Sequence, residues 1–436
     1  MRTPNRQRPT PNRQRPIRKG GGTRSVGIED SAALDQLLFA TAVRSRTVER
    51  AVARIVGDVR RRGDRAVLEY ARRFDALEGN IEVSPAEMRQ AAKEVPKAVR
   101  DAIRFASRNI VKVAKQQLPR GGRVSPVPGV RVENRVTPLD RVGCYVPAGR
   151  HPLPSSLLMS AIPARVAGVG EVIVACPRPD PTVMLAAVEA GVDRLFRIGG
   201  AHAIAALAYG TEAVPRVDKI VGPGNAYVAE AKAQVARDCA IDFYAGPSEI
   251  VIVSENGHPE WIAADLIAQA EHDVDARAIL LTPSRALADA VVRELQRQLP
   301  LTGPASDALQ RNGGVFLTHS LNEAIDLCER LAPEHVVCDD RRVAARIRRA
   351  GTIFVGRFSA QALGDYVTGS NHVLPTNGAA RSRSGLSAAD FVRVTPVQTI
   401  TAAGLVRIGS AGVALARAEG LHAHAASIDV RLEKRR

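Results

Sequence analysis

No apolar run in the 436 residues approaches the roughly 20 that a membrane-spanning helix needs, and no signal-peptide pattern opens the chain. Residence in the cytoplasm is the expectation. Cysteine is scarce: Cys144, Cys176, Cys239, Cys328 and Cys338 are odd in number, scattered, and form no C-x-x-C pair. That excludes a disulfide framework and fits reduced thiols in the same compartment. Acids are missing from residues 1–24, which carry seven Arg and one Lys, half of the net charge of +16. This stretch repeats TPNRQRP over 3–9 and again over 10–16. It has nothing to bury and is expected to be disordered. Counterion release would give it nucleic-acid affinity, yet no aromatic residue is interleaved for base stacking. A translated repeat at an over-extended start accounts for it at least as well.

What is present is ordinary for a soluble globular protein, with 45% hydrophobic residues and a mean hydropathy of -0.08. The length allows two or three domains. Residues 31–76 read as two helices, with Leu37, Leu38, Val43, Val48, Val52, Ile55 and Val59 on the apolar face. Ser84-Pro85-Ala86-Glu87 is a capping box with proline at the first helical position, opening a helical region that runs to about residue 118 with a break at Pro96. Residues 131–146 alternate like extended structure. From Cys144 the texture changes. Apolar β runs at 171–176, 194–198, 219–221 and 250–253 alternate with helices at 156–167, 181–190, 201–209 and 225–237. A second series of strands falls at 278–282, 315–318, 335–337 and 352–355, with helices between them. Such alternation implies parallel βαβ units. After Gly356 the pattern dissolves into a polar loop and closes with a helical segment over 396–426. The expected fold is α/β: two incomplete Rossmann-like parallel-sheet domains and a small helical C-terminal segment.

A helix predicted over 259–273 carries Gln269 and His272 three residues apart at its end, on one face. An amide oxygen and an imidazole there are half of a zinc site, or simply a polar helix end. Asp365, in the polar stretch GDYVTGSNHVLPT with His372, and either His422 or His424 would complete a mixed N/O set of four. Glu334-His335 pairs two proton-transfer groups at a helix-to-strand junction. Adjacent strand residues face opposite ways, so the pair is useful only if the junction is irregular; otherwise it is a surface pair. Lys219–Asn225, KIVGPGN, is a strand, a Gly-x-Gly turn and a helix start, suited to a phosphate. The third glycine of the dinucleotide fingerprint is replaced by Tyr227, so a plain tight turn fits equally. The small-residue loop Gly143–Gly149 offers Tyr145 as a cover for a nucleotide.

Taken together and in order, YVPAG with PSSLLMSAIPARVAG, VDKIVGPGNAYVAEAK, IDFYAGPSE, AADLIAQAEHD, LAPEHV, GDYVTGSNHVLPT and EGLHAH resemble the histidinol dehydrogenases. The resemblance runs from about Ser31 to the C-terminus. It implies that Gln269, His272, Asp365 and His424 bind one Zn²⁺ per subunit, and that Glu334 and His335 are catalytic. It further implies that Ser155, Ser248, His372 and Glu419 line the L-histidinol site with Gln269, His272, His335, Asp365 and His424, and that Tyr145, His202 and Asn225 contact NAD. The implied reaction is the four-electron oxidation of L-histidinol to L-histidine through histidinal, with two NAD, as the last step of histidine biosynthesis. The implied assembly is a homodimer whose C-terminal segment completes the neighbouring site. The domain boundaries expected are a basic tail over 1–24, a discontinuous α/β domain over 25–144 and 252–381 that includes the N-terminal helices, a Rossmann-like NAD-binding domain over 145–251, and a dimerisation segment over 387–436. Departures lie on the cofactor side: Ala148-Gly149-Arg150-His151 where the family has Gly-Gly after Val-Pro, and His202 where a glutamine usually meets NAD. A related zinc and NAD dehydrogenase of another small alcohol, of the sulfopropanediol type, keeps the same machinery. A nucleic-acid-binding protein acting through the tail is the alternative from a different class.

Overall fold

The computed structural model describes residues 25–27, 45–148, 152–244 and 246–433. The basic tail, residues 31–44 of the expected first helices, and Gly149, Arg150 and His151 lie outside the described residues. Two six-stranded sheets and one three-stranded sheet carry the fold. The first sheet is wholly parallel and runs Ser25–Gly27, Gly314–Leu317, Arg277–Thr282, Glu249–Val253, His335–Cys338, Thr352–Val355. The second runs Glu82–Val83, Arg194–Phe196, Glu171–Ala175, Arg141–Tyr145, Lys219–Val221, Ala240–Ile241, with only the Glu82–Val83 edge antiparallel. From Glu249–Val253 in one and Arg141–Tyr145 in the other, the chain builds the strand order 3-2-1-4-5 of a doubly wound sheet.

The strands are apolar on both faces, as buried parallel strands must be. In the second sheet Val142, Cys144, Val172 and Val174 face helices Pro154–Ala167, Pro181–Ala190 and Lys97–Gln117. Ile173, Ala175, Phe196 and Ile220 face the opposite way, where helices Arg46–Arg62, Asp64–Phe74, Gly200–Tyr209 and Ala226–Val235 pack. Ile250, Ile252, Ala278 and Leu280 feed one core of the first sheet, and Val251, Val253, Ile279 and Leu281 the other.

Strand pairing regroups the expected domains. Arg141–Tyr145 is central in the second sheet, and the N-terminal helices spend their apolar faces on that sheet rather than on the first. Helices within 46–117 and the strand Arg141–Tyr145 therefore go with the second sheet, strands Gly122–Val124 and Val130–Pro138 with the three-stranded sheet, and 249–251 with the first. Half of the predicted capping box forms at helix Pro85–Glu94: Ser84 Oγ accepts from the Glu87 N–H at 3.1 Å, while the Glu87 carboxylate accepts from Arg197 Nη2 instead of from the Ser84 N–H. The helical region breaks at Val95 and Pro96 before helix Lys97–Gln117. The C-terminal stretch is not all helical. Val392–Ile400 is an edge strand paired antiparallel with Val130–Pro138, followed by helices Ala402–Ala418 and His422–Glu433 packed on each other. All five cysteines are buried and unpaired. Among the described residues no helix is long and apolar enough to cross a membrane.

Candidate active site

The Glu334-His335 pair sits at the amino edge of the first sheet, where Glu249–Val253 lies beside His335–Cys338 with Ile250 opposite His335. Glu334 precedes the strand and His335 begins it, so the junction is irregular in the way the pair requires. Both side chains converge on residue 249. The Glu249 N–H donates to Glu334 Oε2 at 2.8 Å, and His335 Nδ1 lies 3.2 Å from the Glu249 carbonyl oxygen. His335 Nδ1 and Glu334 Oε2 are 3.6 Å apart. A carbonyl only accepts, so Nδ1 carries the proton and Nε2 is left with its lone pair. Burial pushes the His335 imidazole down to about 4, against an opposing pull from Asp365, so it is neutral at pH 7. Burial also holds the Glu334 carboxyl well above the usual carboxylate range, opposed by the Glu249 N–H. Glu249 itself is pushed up to about 7 by burial, with Arg277 opposing.

His335 Nε2 faces Asp365 Oδ1 at 3.9 Å. Asp365 stands on the short helix Gln361–Tyr366, not in an open loop, and its Oδ2 accepts from Gln361 Nε2 at 2.7 Å. Its carbonyl oxygen accepts from His372 Nδ1 at 2.9 Å, which turns His372 Nε2 toward Ser156 Oγ at 3.3 Å. Ser155, in the same helical turn, is half-buried. Ser248 is also half-buried, and its carbonyl accepts from the Arg277 N–H at 2.9 Å.

Gln269 lies in the last turn of helix Pro259–Ala270, 0% exposed. Neither its Oε1 nor its Nε2 has a hydrogen-bond partner among the described residues. A buried carboxamide left unpaired costs about 1–3 kcal/mol, so a water, an ion or a ligand atom is the expected partner of its two polar atoms. His272 is exposed just past the helix end; burial pushes the His372 imidazole down, with Asp365 opposing and His272 adding to the lowering, as it does at His335. His335, Asp365 and His372 lie together with His272 in reach, and the helix that carries Gln269 packs against the helix that carries Asp365. Glu419 and His424 are exposed on the C-terminal helices, and no hydrogen bond or ion pair joins them to that place among the described residues. Nor do three His, Cys, Asp or Glu side chains gather there closely enough to hold a metal by themselves. The donor set nonetheless suits zinc: an amide oxygen with no other partner, a carboxylate and an imidazole, with one position to be filled.

At the second sheet the strand order reverses between Arg141–Tyr145 and Lys219–Val221, and ligands of such sheets bind at the carboxyl ends of these strands. Tyr145 and the turn Gly222–Asn225 stand there. Gly222 has φ +116°, and a Cβ on it would lie 2.2 Å from the Tyr145 carbonyl oxygen. Asn225 caps helix Ala226–Val235, its Oδ1 accepting from the Tyr227 and Val228 N–H groups at 3.1 and 3.2 Å. Tyr145 is buried, and its hydroxyl accepts from the Gly200 N–H at 3.1 Å. His202 is buried too. Its Nε2 is committed to Asp75 Oδ2 at 2.8 Å, the oxygen that also accepts from the Gly199 N–H at 2.9 Å, and its ring lies beside Tyr70 and Phe74. Only Nδ1, next to Gly200, is left for another contact. Sequence reasoning missed Ser156, Glu249 and Asp75. Glu249 lay in view in GPSE, but nothing local marks it as the residue on which the pair converges.

The histidinol dehydrogenase family model matches residues 40–432. A histidinol dehydrogenase from Gluconobacter oxydans is 46% identical over 426 residues, covering 94% of this chain and 99% of its own. One from Geobacillus kaustophilus is 47% identical over 398 residues, covering 88% and 94%. The crystal structure of histidinol dehydrogenase from Elizabethkingia anophelis superposes with a TM-score of 0.88 at 33% identity, covering 92% of this chain and 96% of that one. Twin Rossmann-like sheets with a buried acid–imidazole pair define the class, an α/β oxidoreductase that works with NAD. Within that class, the chain belongs to the histidinol dehydrogenase family.

Proposed function

We propose that this enzyme oxidises L-histidinol to L-histidine through histidinal, in two two-electron steps that reduce two NAD, as the last step of histidine biosynthesis. The observation that carries the reading is the neutral His335, with Nδ1 fixed by the Glu249 carbonyl and Nε2 free beside Asp365. In the first step His335 Nε2 takes the hydroxyl proton as the carbinol hydride leaves. Glu334, once ionised, is a strong base for a buried carboxylate, and it draws a proton from the water that adds to the aldehyde. As the water adds, the protonated His335 returns its proton to the aldehyde oxygen, and the hydrate then loses a hydroxyl proton to the restored His335 and a hydride to the second NAD. Bound NAD supplies the hydride acceptor, and the protein supplies position and proton transfer. Ser155, Ser248, His372 and Glu419 bind and orient the substrate, and the aldehyde is kept from solvent between the steps.

Gln269, His272 and Asp365 would hold a zinc ion together with His424. Zinc there supplies a positive template for the imidazole and amino nitrogens of the substrate. The unpartnered carboxamide of Gln269 supports this placement. His424 and Glu419 belong, on this reading, to the site of a second copy in a homodimer. Support comes from the C-terminal helices, which expose Val406, Leu415 and Val430 along with both residues. NAD binds the second-sheet unit, residues 141–241 with the helices of 46–117 added, against Tyr145, Asn225 and the His202 turn. The first sheet holds the chemistry, 387–436 serves assembly, and the enzyme works in the cytoplasm, where five unpaired thiols stay reduced.

The test is NADH formation with L-histidinol before chelation, after it, and after zinc is restored. Two NADH per histidinol, lost on chelation and recovered with zinc, is the expected outcome. A zinc-loaded, NAD-binding dimer that forms no NADH would sink the substrate assignment in favour of another small alcohol.

A further inference from the structure

Behind the Gly222–Asn225 turn lies a buried ion pair that takes no part in the chemistry above. The side chains of Lys232 and Asp242 are 2% and 1% exposed and in direct contact. Lys232 stands on the inner face of helix Ala226–Val235 with Val228, Ala231 and Val235, where periodicity alone calls for an apolar residue. Asp242 follows the strand Ala240–Ile241. The pair grips one residue from both sides. The Gly222 N–H donates to Asp242 Oδ2 at 2.8 Å, and the Gly222 carbonyl accepts from Lys232 Nζ at 2.9 Å. Asp242 Oδ1 also accepts from its neighbour's N–H, that of Phe243, at 2.6 Å, and Arg383 Nη1 donates to the Asp242 carbonyl at 2.6 Å.

Removing two charges from water costs several kcal/mol per ion, and an apolar pair of the same volume is commonly as stable or more so. What the charges provide is one geometry. Gly222 needs a positive φ and presses against the end of strand Arg141–Tyr145, so a small rotation of this peptide would swing Pro223, Gly224 and the Asn225 cap out of line. Opposite charges on its two polar atoms hold that rotation.

We propose that Lys232 and Asp242 are positioning residues for the cofactor, locking the Gly222–Asn225 turn in the shape that receives NAD. The proposal rests on the reading of the second-sheet crevice as the NAD site. Neither residue touches the cofactor; both act through Gly222.

Lys232→Met leaves Asp242 buried without its cation, and where that variant fails to fold the double variant Lys232→Met/Asp242→Asn replaces it. The double variant removes both charges and keeps an acceptor for the Gly222 N–H. The equilibrium dissociation constant for NADH is read by fluorescence titration without histidinol, alongside both Michaelis constants and bound zinc. Loss of the charge-assisted grip should raise the NADH dissociation constant and the KM for NAD about tenfold. The KM for histidinol and the zinc content should stay near those of the wild type. Unchanged NADH affinity, or an equal loss for both substrates, overturns the positioning role. Asn225→Ser, which keeps the helix cap and removes the amide, tells the two failures apart. If it weakens NADH while the double variant does not, the positioning role alone falls; if neither changes affinity, the placement of the cofactor falls and takes the proposal with it.

Discussion

Replacing Gln269 with Met should stabilise the metal-free enzyme and destabilise it relative to wild type once zinc is present. The carboxamide is fully buried with both polar atoms unpaired, and such a group costs about 1–3 kcal/mol. Met nearly conserves the volume, so the repacking penalty is under about 1.5 kcal/mol and the net gain in chelator is about 1 kcal/mol. That corresponds to roughly 2–4 °C in the unfolding midpoint of a domain of 150–250 residues. Zinc reverses the order. At a hundred times its dissociation constant a ligand adds about 2.7 kcal/mol to a protein that binds it, and Gln269→Met forfeits most of this. Differential scanning calorimetry of both proteins, in chelator and in zinc, reads the crossing directly. A lower midpoint for Gln269→Met in chelator would mean that the carboxamide has a partner after all. Equal zinc-induced shifts in both proteins would remove Gln269 from the metal site.

His335→Asn should lower kcat by about 10²–10⁴ with little change in bound zinc. In the wild type the acid limb of the pH–rate profile should fall as pH drops through about 4 rather than the usual 6.5, since burial keeps the base form neutral down to there. Glu334→Gln should release one NADH per histidinol and let histidinal escape to a trapping amine; two NADH would remove Glu334 from the second oxidation. Glu249 makes a pH-dependent contribution to stability. Its folded carboxyl, pushed up to about 7 from 4.5, holds a proton that the unfolded chain has lost, so its contribution is full below 4.5 and gone as pH rises through 7. Glu249→Gln should therefore gain on the wild type by up to about 3 kcal/mol between pH 4 and pH 8 in denaturant titrations, and a constant difference would contradict the assigned burial. If the site is shared, mixing inactive His335→Asn and His424→Ala dimers should restore about a quarter of the wild-type rate, because half of randomly mixed dimers carry one intact site.

Where the chain buries strands on both faces, the sequence was easy to read. The apolar runs at 171–176, 219–221 and 250–253 all became central strands, and Ser84 and Pro96 placed a helix start and a helix break as their chemistry requires. Val392–Ile400 was not legible as a strand, because Pro396 interrupts its alternation. It is tolerated on the edge of a three-stranded sheet, opposite Asn134, where a missing N–H costs little. The site was legible by residue type but not by arrangement. Glu249 lies 85 residues from Glu334, and Asp75 lies 127 from His202. Which of two hydroxyls in Ser155-Ser156 faces His372 is a matter of helix rotation that only the packing decides.

The two sheets share one strand order, yet the proposed function divides the labour between them, and on the first a single side chain fills the usual ligand edge. At its carboxyl edge, where a doubly wound sheet ordinarily receives a ligand, Asp339 reaches across from the end of His335–Cys338 to the end of Glu249–Val253. It accepts from Ser254 Oγ at 2.6 Å, the Glu255 N–H at 2.7 Å and the Asn256 N–H at 3.1 Å. Those are the kinds of donor a phosphate would use, and they are spent on the protein's own carboxylate. The same two strands meet again at their amino ends, and there Glu249, Glu334 and His335 converge.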